Sequence, residues 1–444
     1  MDLLYWLRRL MLESFHNCSQ TPLRFFKRES FVKPAANIIG LTGAFGSGCT
    51  TAAKHLRDTR GFTEVRLSDS IRAEWAKTNH GDPSRLQLQR LGDELRQKNH
   101  PGILVQLALQ EVAQKNGGEL PKDIVIDGIR NVGEIDHLRD ALGFHFTLIA
   151  VLASSDARWD RIASTYTDRG LGLAEFIEDD KRDKNEETQY GQQVELCVDR
   201  ADILIVNSTE VSTTEFKEKL LDFVDLATGK KPRGASQTEI LMNIAFSSSH
   251  SSKCVKRHVG AVIVDPKGQV VSAGYNENPL GTNPCAEEPE YEYQCFRDII
   301  RNNHFKSLAD KGARCPVCGE KIVFVKGPPW RCEACAIKKE KTNLESFFYP
   351  DRALNWCTAV HAEVWAVLAA GGRASGGTLY TTTFPCAQCA EKIVQSGISK
   401  VVFTESYPDP YGASRLNLGD IELEQFEGVR SSSFERIFSK TKPD

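Results

Sequence analysis

His361, Glu363, Cys386 and Cys389 are the residues of this chain whose types and spacing most directly spell out chemistry. One imidazole and two thiolates make a three-ligand zinc site that keeps a fourth position open for water. Zinc lowers the pKa of such a water to about 7, so a strong nucleophile is available at neutral pH. Glu363 stands two residues from His361. A carboxylate there reaches the same site without binding the metal and moves protons to and from the reacting groups. The set predicts metal-assisted hydrolysis with a proton shuttle. A second cysteine group has a different character. Cys315-Pro316-Val317-Cys318 and Cys332-Glu333-Ala334-Cys335 are two C-x-x-C knuckles separated by thirteen residues. Four thiolates close a zinc site completely, which makes this one structural, a zinc ribbon.

The elements around the first site must bring its parts together. His361 to Ala370 reads as a helix stopped by Gly371-Gly372, and Thr378–Thr383 as a strand. Cys386 and Cys389 then open the next helix, where the N-terminus favours thiolates. Lys400–Thr404 is the following strand. Upstream, Val259–Val264 and Gln269–Gly274 flank the turn Asp265-Pro266-Lys267-Gly268 and form a hairpin, after a helix around Glu239–Ser247. Asn276, just past the hairpin, is placed to hydrogen-bond a sugar hydroxyl or to shape a turn.

The first half of the chain carries a phosphate-binding pattern. The strand Ile38–Thr42 runs into a loop and helix start containing Gly43, Gly46, Ser47, Gly48, Cys49, Thr50 and Thr51. Strand, glycine loop and helix form the P-loop context, in which backbone N–H groups and the helix N-terminus cradle phosphate. Thr50 is placed to hold Mg²⁺ with ATP or a dNTP. Cys49 occupies the position of the P-loop lysine, and a neutral thiol supplies no cation to the phosphates. Nucleotide binding without phosphoryl transfer is therefore expected, the alternative being a glycine turn kept for packing. Val65–Asp69, Asp123–Arg130, Phe146–Leu152 and Ala201–Asn207 read as further strands, with residues 84–114 and 214–226 helical. Asp127 lies where a Walker B acid would. Arg158, Arg161 and Arg169 form either a lid over phosphates or a solvated helix surface. Strands alternating with helices predict a parallel, doubly wound sheet.

The bulk numbers fit this division. The chain has 444 residues, 41% hydrophobic and 26% charged, as in an ordinary globular protein of two or three domains. The net charge of −3 gives no whole-protein field for nucleic acid. No run of 18 apolar residues predicts a membrane span. The N-terminus is too charged for a secretory signal, so a cytoplasmic location is expected. The predicted order is an extension over 1–34, a P-loop domain over 35–227, a linker over 228–238 and a second domain over 239–444. The zinc ribbon is an insertion over 311–341. The extension could form one amphipathic helix for a membrane, a partner or its own protein. The ribbon carries eight Lys/Arg against three Glu, suited to nucleic acid or nucleotide phosphate, or simply solvated. Cys254, Cys285 and Cys295 are further ligands or buried small side chains.

H-x-E followed by P-C-x-x-C is the signature of zinc-dependent nucleobase deaminases. Here it is His361-Ala362-Glu363 and Pro385-Cys386-Ala387-Gln388-Cys389. With Arg257–Val264, Ala273–Asn276 and Ser406-Tyr407-Pro408-Asp409, residues 239–430 resemble the deoxycytidylate deaminase family. The resemblance implies an α/β fold with a cytidine-deaminase-like αβα sandwich. It also implies deamination at C4 of a deoxycytidine nucleotide, with Asn276 as a sugar contact and Tyr407 as a nucleotide-site residue. Residues 36–226 resemble nucleoside monophosphate kinases. The fusion of the two is similar to the bacterial anti-phage deoxycytidine nucleotide deaminases of the AvcD type. That likeness implies dCTP and dCMP as substrates, nucleotide depletion as antiviral defence, a homo-oligomer, and an inhibitory small RNA as a partner. The competing readings are a nucleic-acid C-to-U editing deaminase, a metabolic dCMP deaminase and a non-catalytic nucleotide sensor.

Overall fold

The computed structural model describes residues 37–77, 80–168, 170–184, 190–322, 332, 335, 357–404 and 410–439. The extension over 1–34, Arg169, Tyr407 and much of the ribbon insertion lie outside the described residues.

Two sheets organise these residues. The first is built on β1 (Asn37–Thr42), which is flanked by β3 (Asp123–Asp127) and β4 (Phe146–Leu152). Outside these lie β2 (Thr63–Arg66) and β5 (Ile203–Val206), and all five strands run parallel. Parallel strands need crossover helices on both faces, which is why β4 is apolar but for Thr147 and is buried at every position. The helices Cys49–Arg60 and Thr213–Ala227 share one core with Ile39, Val125, Ile149 and Ile205.

Local chemistry departs from the sequence expectation in three places. The strand expected over 65–69 stops at Arg66, and Leu67–Ala76 is a helix that buries Leu67 and Ser70, with Asp69 in its favourable first turn. The helix expected over 84–114 is two, Arg85–Lys98 and Ile103–Lys115, because Pro101 interrupts the ladder between them. Arg158 is neither a lid nor solvated. It is fully buried, forks onto Asp180 at 2.6 and 2.9 Å, and donates to the Phe45 carbonyl at 3.2 Å. Arg161 likewise donates to the carbonyls of Asn207 and Ser47. Both arginines buttress the glycine loop from behind.

The second sheet has the order β7–β6–β8–β9–β10 from β6 (Gly260–Val264), β7 (Val270–Tyr275), β8 (Thr378–Thr381), β9 (Lys400–Phe403) and β10 (Glu422–Gln425). The hairpin β6–β7 and the β6–β8 pair are antiparallel, whereas β8, β9 and β10 run parallel. The helices Ala362–Ala370 and Ala387–Gln395 pack on the face of β6 that carries Ala261 and Ile263. Gln237–Ser249 lies against the other face, where Gly260 meets the Ala245 carbonyl.

The chain then returns to the first sheet. β11 (Gly428–Val429) adds antiparallel to β5 and closes that edge. Val429 and Ile437 enter the core of the first sheet. Two buried carboxylates hold this return. Asp202, 2% exposed, accepts from Leu148 N, Arg139, Arg436 and Ser433. Glu239, 1% exposed, accepts from Arg233, Ser236 N and Val429 N. Removing the acceptor leaves buried donors unmatched, so Asp202→Ala should lower the unfolding free energy by about 3–5 kcal/mol, read from the shift in urea midpoint.

Glu239 adds a pH test. Burial pushes its carboxyl up, but hydrogen bonds from Arg233 and from the N–H groups of Ser236 and Val429 outweigh that and leave it lowered. A lowered folded-state value means the contribution is complete above the ordinary value of 4.5 and is lost as pH falls through the folded value. Denaturation series between about pH 6 and pH 3 should therefore show a steeper acid loss in the wild type than in Glu239→Gln.

Candidate active site

His361 is the N-cap of the helix Ala362–Ala370, and Cys386 is the N-cap of Ala387–Gln395, with Cys389 one turn further on. The two helix starts face each other because their helices pack in one core. Gly274 permits the close seating of the first helix. A Cβ there would lie 2.5 Å from the Ala362 carbonyl oxygen and 2.7 Å from Ala366 N. The bridge between Glu277 and Val360 then joins the end of the hairpin to the residue preceding His361.

The three donor atoms form a triangle. His361 Nδ1 lies 3.2 Å from Cys389 Sγ and 3.5 Å from Cys386 Sγ, and the two sulfurs are 3.6 Å apart. Tetrahedral zinc with ordinary bond lengths needs edges of about 3.6 Å between nitrogen and sulfur and about 3.8 Å between sulfurs. The donor set fits Zn²⁺. The Cys386 thiol is brought down to about 4, first by its hydrogen bond with Cys389 and then by His361, while Cys389 is pushed up by the neighbouring Cys386 and by burial. Glu363, in the first turn of its helix and 3% exposed, places Oε2 3.7 Å from Cys389 Sγ. Burial raises its carboxyl, which suits a group that must hold and release protons.

Asn276 directly follows β7 and is 8% exposed. Its Oδ1 accepts from Val259 N at 2.7 Å and its Nδ2 donates to the Arg257 carbonyl at 2.9 Å, so the amide fixes the segment 257–259 beside the site. Tyr407 lies outside the described residues.

The ribbon cysteines converge as expected. Cys315 and Cys335 sulfurs are 3.8 Å apart, those of Cys318 and Cys332 are 3.5 Å apart, and the four pack around Phe305 and Ile322. Burial raises the Cys315 thiol, but the N–H groups of Cys318 and Val317 outweigh this and bring it to about 7, as a metal-binding thiolate needs. Among the described residues these two groups are the convergent ligand sets. Cys254, Cys285 and Cys295 join neither.

In the first half, Gly43, Gly46 and Gly48 all adopt positive φ values, although that of Gly43 is close to extended. Gly48 caps the helix Cys49–Arg60 at φ 114°, and a Cβ there would lie 2.5 Å from Asn207 Nδ2. Asn207, whose role no spacing signalled, donates to the Ser47 carbonyl at 2.7 Å. Thr50 donates to Asp127 at 2.8 Å, at the C-terminal end of β3 beside the loop. Ser47 and Thr51 complete the turn into the helix. The Cys49 thiol is pushed up to about 12 by burial and by the Asp127 carboxylate, so it is neutral at pH 7.

Residues 235–405 match the family model described as the cytidine and deoxycytidylate deaminase zinc-binding region. The deoxycytidylate deaminase of Enterobacteria phage T4 is 31% identical over 173 residues, which cover 38% of this chain and 77% of that protein. A UPF0200 protein of Pyrobaculum aerophilum is 30% identical over 185 residues, 41% of this chain and 94% of its own. The solved dCMP deaminase of cyanophage S-TIM5 in complex with dCMP and dUMP is 21% identical, covers 44% of this chain and 99% of that one, and has a TM-score of 0.26. The matched span contains the whole zinc-ligand triangle and its buried carboxylate, and on these grounds the chain belongs to the deoxycytidylate deaminase family and is a deoxycytidine nucleotide deaminase.

Proposed function

We propose that this protein converts dCTP and dCMP to dUTP and dUMP and so depletes deoxycytidine nucleotides as an anti-phage defence, with its nucleotide-binding half as the regulator. The observation that carries the chemistry is the His361–Cys386–Cys389 triangle with Glu363 buried against it. His361, Cys386 and Cys389 hold Zn²⁺, which when bound supplies a nucleophile from water at neutral pH. Glu363 passes a proton to ring N3 as water adds at C4, then protonates the departing amine. The C4–O bond forms, the C4–N bond breaks, and ammonia leaves. Asn276 has a second amide hydrogen beyond the one given to Arg257, and it offers this to the sugar hydroxyl. Cys315, Cys318, Cys332 and Cys335 hold a second, structural zinc.

The anti-phage role rests on the likeness of the two-part chain, a domain over 35–227 joined through 228–238 to one over 239–444, to the AvcD-type enzymes. The same likeness supports a homo-oligomer and an inhibitory small RNA. The metabolic dCMP deaminase reading is favoured instead by the name of the phage T4 relative. For the first half, Gly43, Gly46, Ser47, Gly48, Cys49, Thr50 and Thr51 cradle ATP or a dNTP, with Mg²⁺ between Thr50 and Asp127. The support is the strand–loop–helix order and the Thr50–Asp127 hydrogen bond. The neutral thiol of Cys49 argues for sensing over hydrolysis.

Purified protein should turn over dCTP and dCMP and contain two zinc ions per chain. Glu363→Ala should lose at least about 10³-fold in kcat while keeping both metals, since general acid–base catalysis contributes about 10²–10⁴-fold and no ligand is removed. Turnover undiminished in that variant would sink the assignment of Glu363. MgATP should bind without measurable phosphate release, and Gly48→Val should abolish binding, because its side chain meets Asn207. Sustained ATP hydrolysis lost in Gly48→Val would replace the sensing role with an ATPase.

A further inference from the structure

A buried hydroxyl beneath the zinc-ligand triangle has no part in the mechanism above. Across the second sheet, Gly274 of β7, Ala261 of β6, Thr381 of β8 and Phe403 of β9 stand opposite one another in register. Residues paired in this way point to one face of a sheet. Here it is the face under the active-site helices, because Ala261 and Phe403 share a core with Ala362, Ala366, Cys389 and Ala390. Gly274 lies directly below the first turn of Ala362–Ala370. Adjacent strands are about 4.8 Å apart and packed helices about 8–10 Å, so Thr381, two strands along, lies below the neighbouring helix Ala387–Gln395. The 3.2 Å between His361 and Cys389 keeps the two helix starts level. Cys389, 1% exposed, stands in that first turn and belongs to the shared core.

Thr381 is fully buried, and its hydroxyl has no hydrogen-bond partner. Nearby hydroxyls differ. Ser272, in the next row, donates to the Ala366 carbonyl at 2.8 Å, Thr382 accepts from Gly260 N at 3.1 Å, and Thr404 donates to the Thr382 carbonyl at 2.7 Å. A hydroxyl shut away without a partner is costly, and an apolar side chain of the same shape would avoid that cost. Metal binding changes what stands above it. Cysteine binds zinc as the thiolate, and Cys389 Sγ already lies 3.7 Å from Glu363 Oε2. An added anion in an apolar core needs a donor.

We propose that Thr381 is a positioning residue whose hydroxyl donates to the Cys389 thiolate from the sheet side when zinc is bound. It rests on the deaminase reading of the triangle as the catalytic zinc site, and adds the support of one ligand. Hydrogen bonds to metal ligands orient them and tune the metal.

The test uses the full chain with Thr381→Val, which keeps the shape and removes the donor, and Thr381→Ser, which keeps the donor. Bound zinc per chain is followed against a competing chelator. Thr381→Val should hold one of its two ions about 10- to 100-fold more weakly and the other unchanged, and Thr381→Ser should stay close to wild type. With Co²⁺ in place of zinc, the thiolate-to-metal charge-transfer band should move to lower energy in Thr381→Val, because a thiolate without its hydrogen bond is the richer donor, and should return in Thr381→Ser. Metal-free Thr381→Val should unfold at the same urea concentration as metal-free wild type or a higher one, which shows that the variant folds and that the loss belongs to the metal-bound state. Unchanged zinc affinity with an unmoved Co²⁺ band, or a metal-free variant destabilised as much as the loaded one, would overturn the proposal and leave the deaminase reading intact. A wild-type protein with no more zinc than His361→Ala would overturn both.

Discussion

The capture of the C-terminal segment by two buried carboxylates is the constraint on which the arrangement of both sheets depends. Without β11, the edge strand β5 would present unpaired backbone groups, a liability that proteins cover or pair. A two-residue strand makes too few hydrogen bonds to stay in place alone. Asp202 and Glu239 supply the rest. Each accepts several donors in a nearly water-free setting, and donors come from the linker, from a helix cap and from the returning segment at once. Arg233 in the linker also lies over the rings of Phe223 and Phe438. A stretch whose composition suggests a loose linker is therefore pinned through Arg233 and Ser236.

This closure joins the segment after β3 in the first sheet to residues beside the second sheet. Arg130, three residues after Asp127, bonds Gln192 through its side chain, and its carbonyl accepts from Gln193 N. The helix Val194–Asp199 follows, and the carbonyl of its Val198 accepts from Arg430. Glu195, Val198, Asp199 and Leu204 line one cavity together with Arg257, Thr404 and Arg430. Thr404 then bonds the Thr382 carbonyl, and the Arg257 carbonyl accepts from Asn276. Contiguity transmits a change only where an element on the route has two arrangements. The short helix Val194–Asp199 is the natural element to examine, since it touches both the loop after β3 and the returning segment.

Much of the site could be read from the chain because its parts are local. His361 with Glu363, and Cys386 with Cys389, are each set by one turn of helix, and the apolar runs of β1, β3 and β4 declare buried parallel strands. What could not be read depends on distant partners. Glu239 looks like an ordinary capping-box residue, and its bond to Val429 spans 190 positions. Arg158 reads as a surface charge until Asp180 is placed against it. β11 is too short to carry a pattern.

The same contrast explains the division of labour within the active site. The ligands sit at helix starts, where position is fixed by backbone geometry and where N–H groups favour thiolates. Glu363 is buried beneath them, and burial raises its carboxyl against the opposing effects of His361 and the hydrogen bond from Cys389. Gly274 allows the helix carrying both His361 and Glu363 to lie directly on β7, so the two side chains are positioned by the same seated helix. The segments beside the triangle are built differently. Asn276 has most of its amide committed to the 257–259 backbone, and the helix Phe296–Asp310 packs at its far end on a second cysteine cluster. The zinc-ligand triangle and Glu363 are thus tied to the sheet, whereas Asn276 and the segment 257–259 are held to each other at its edge.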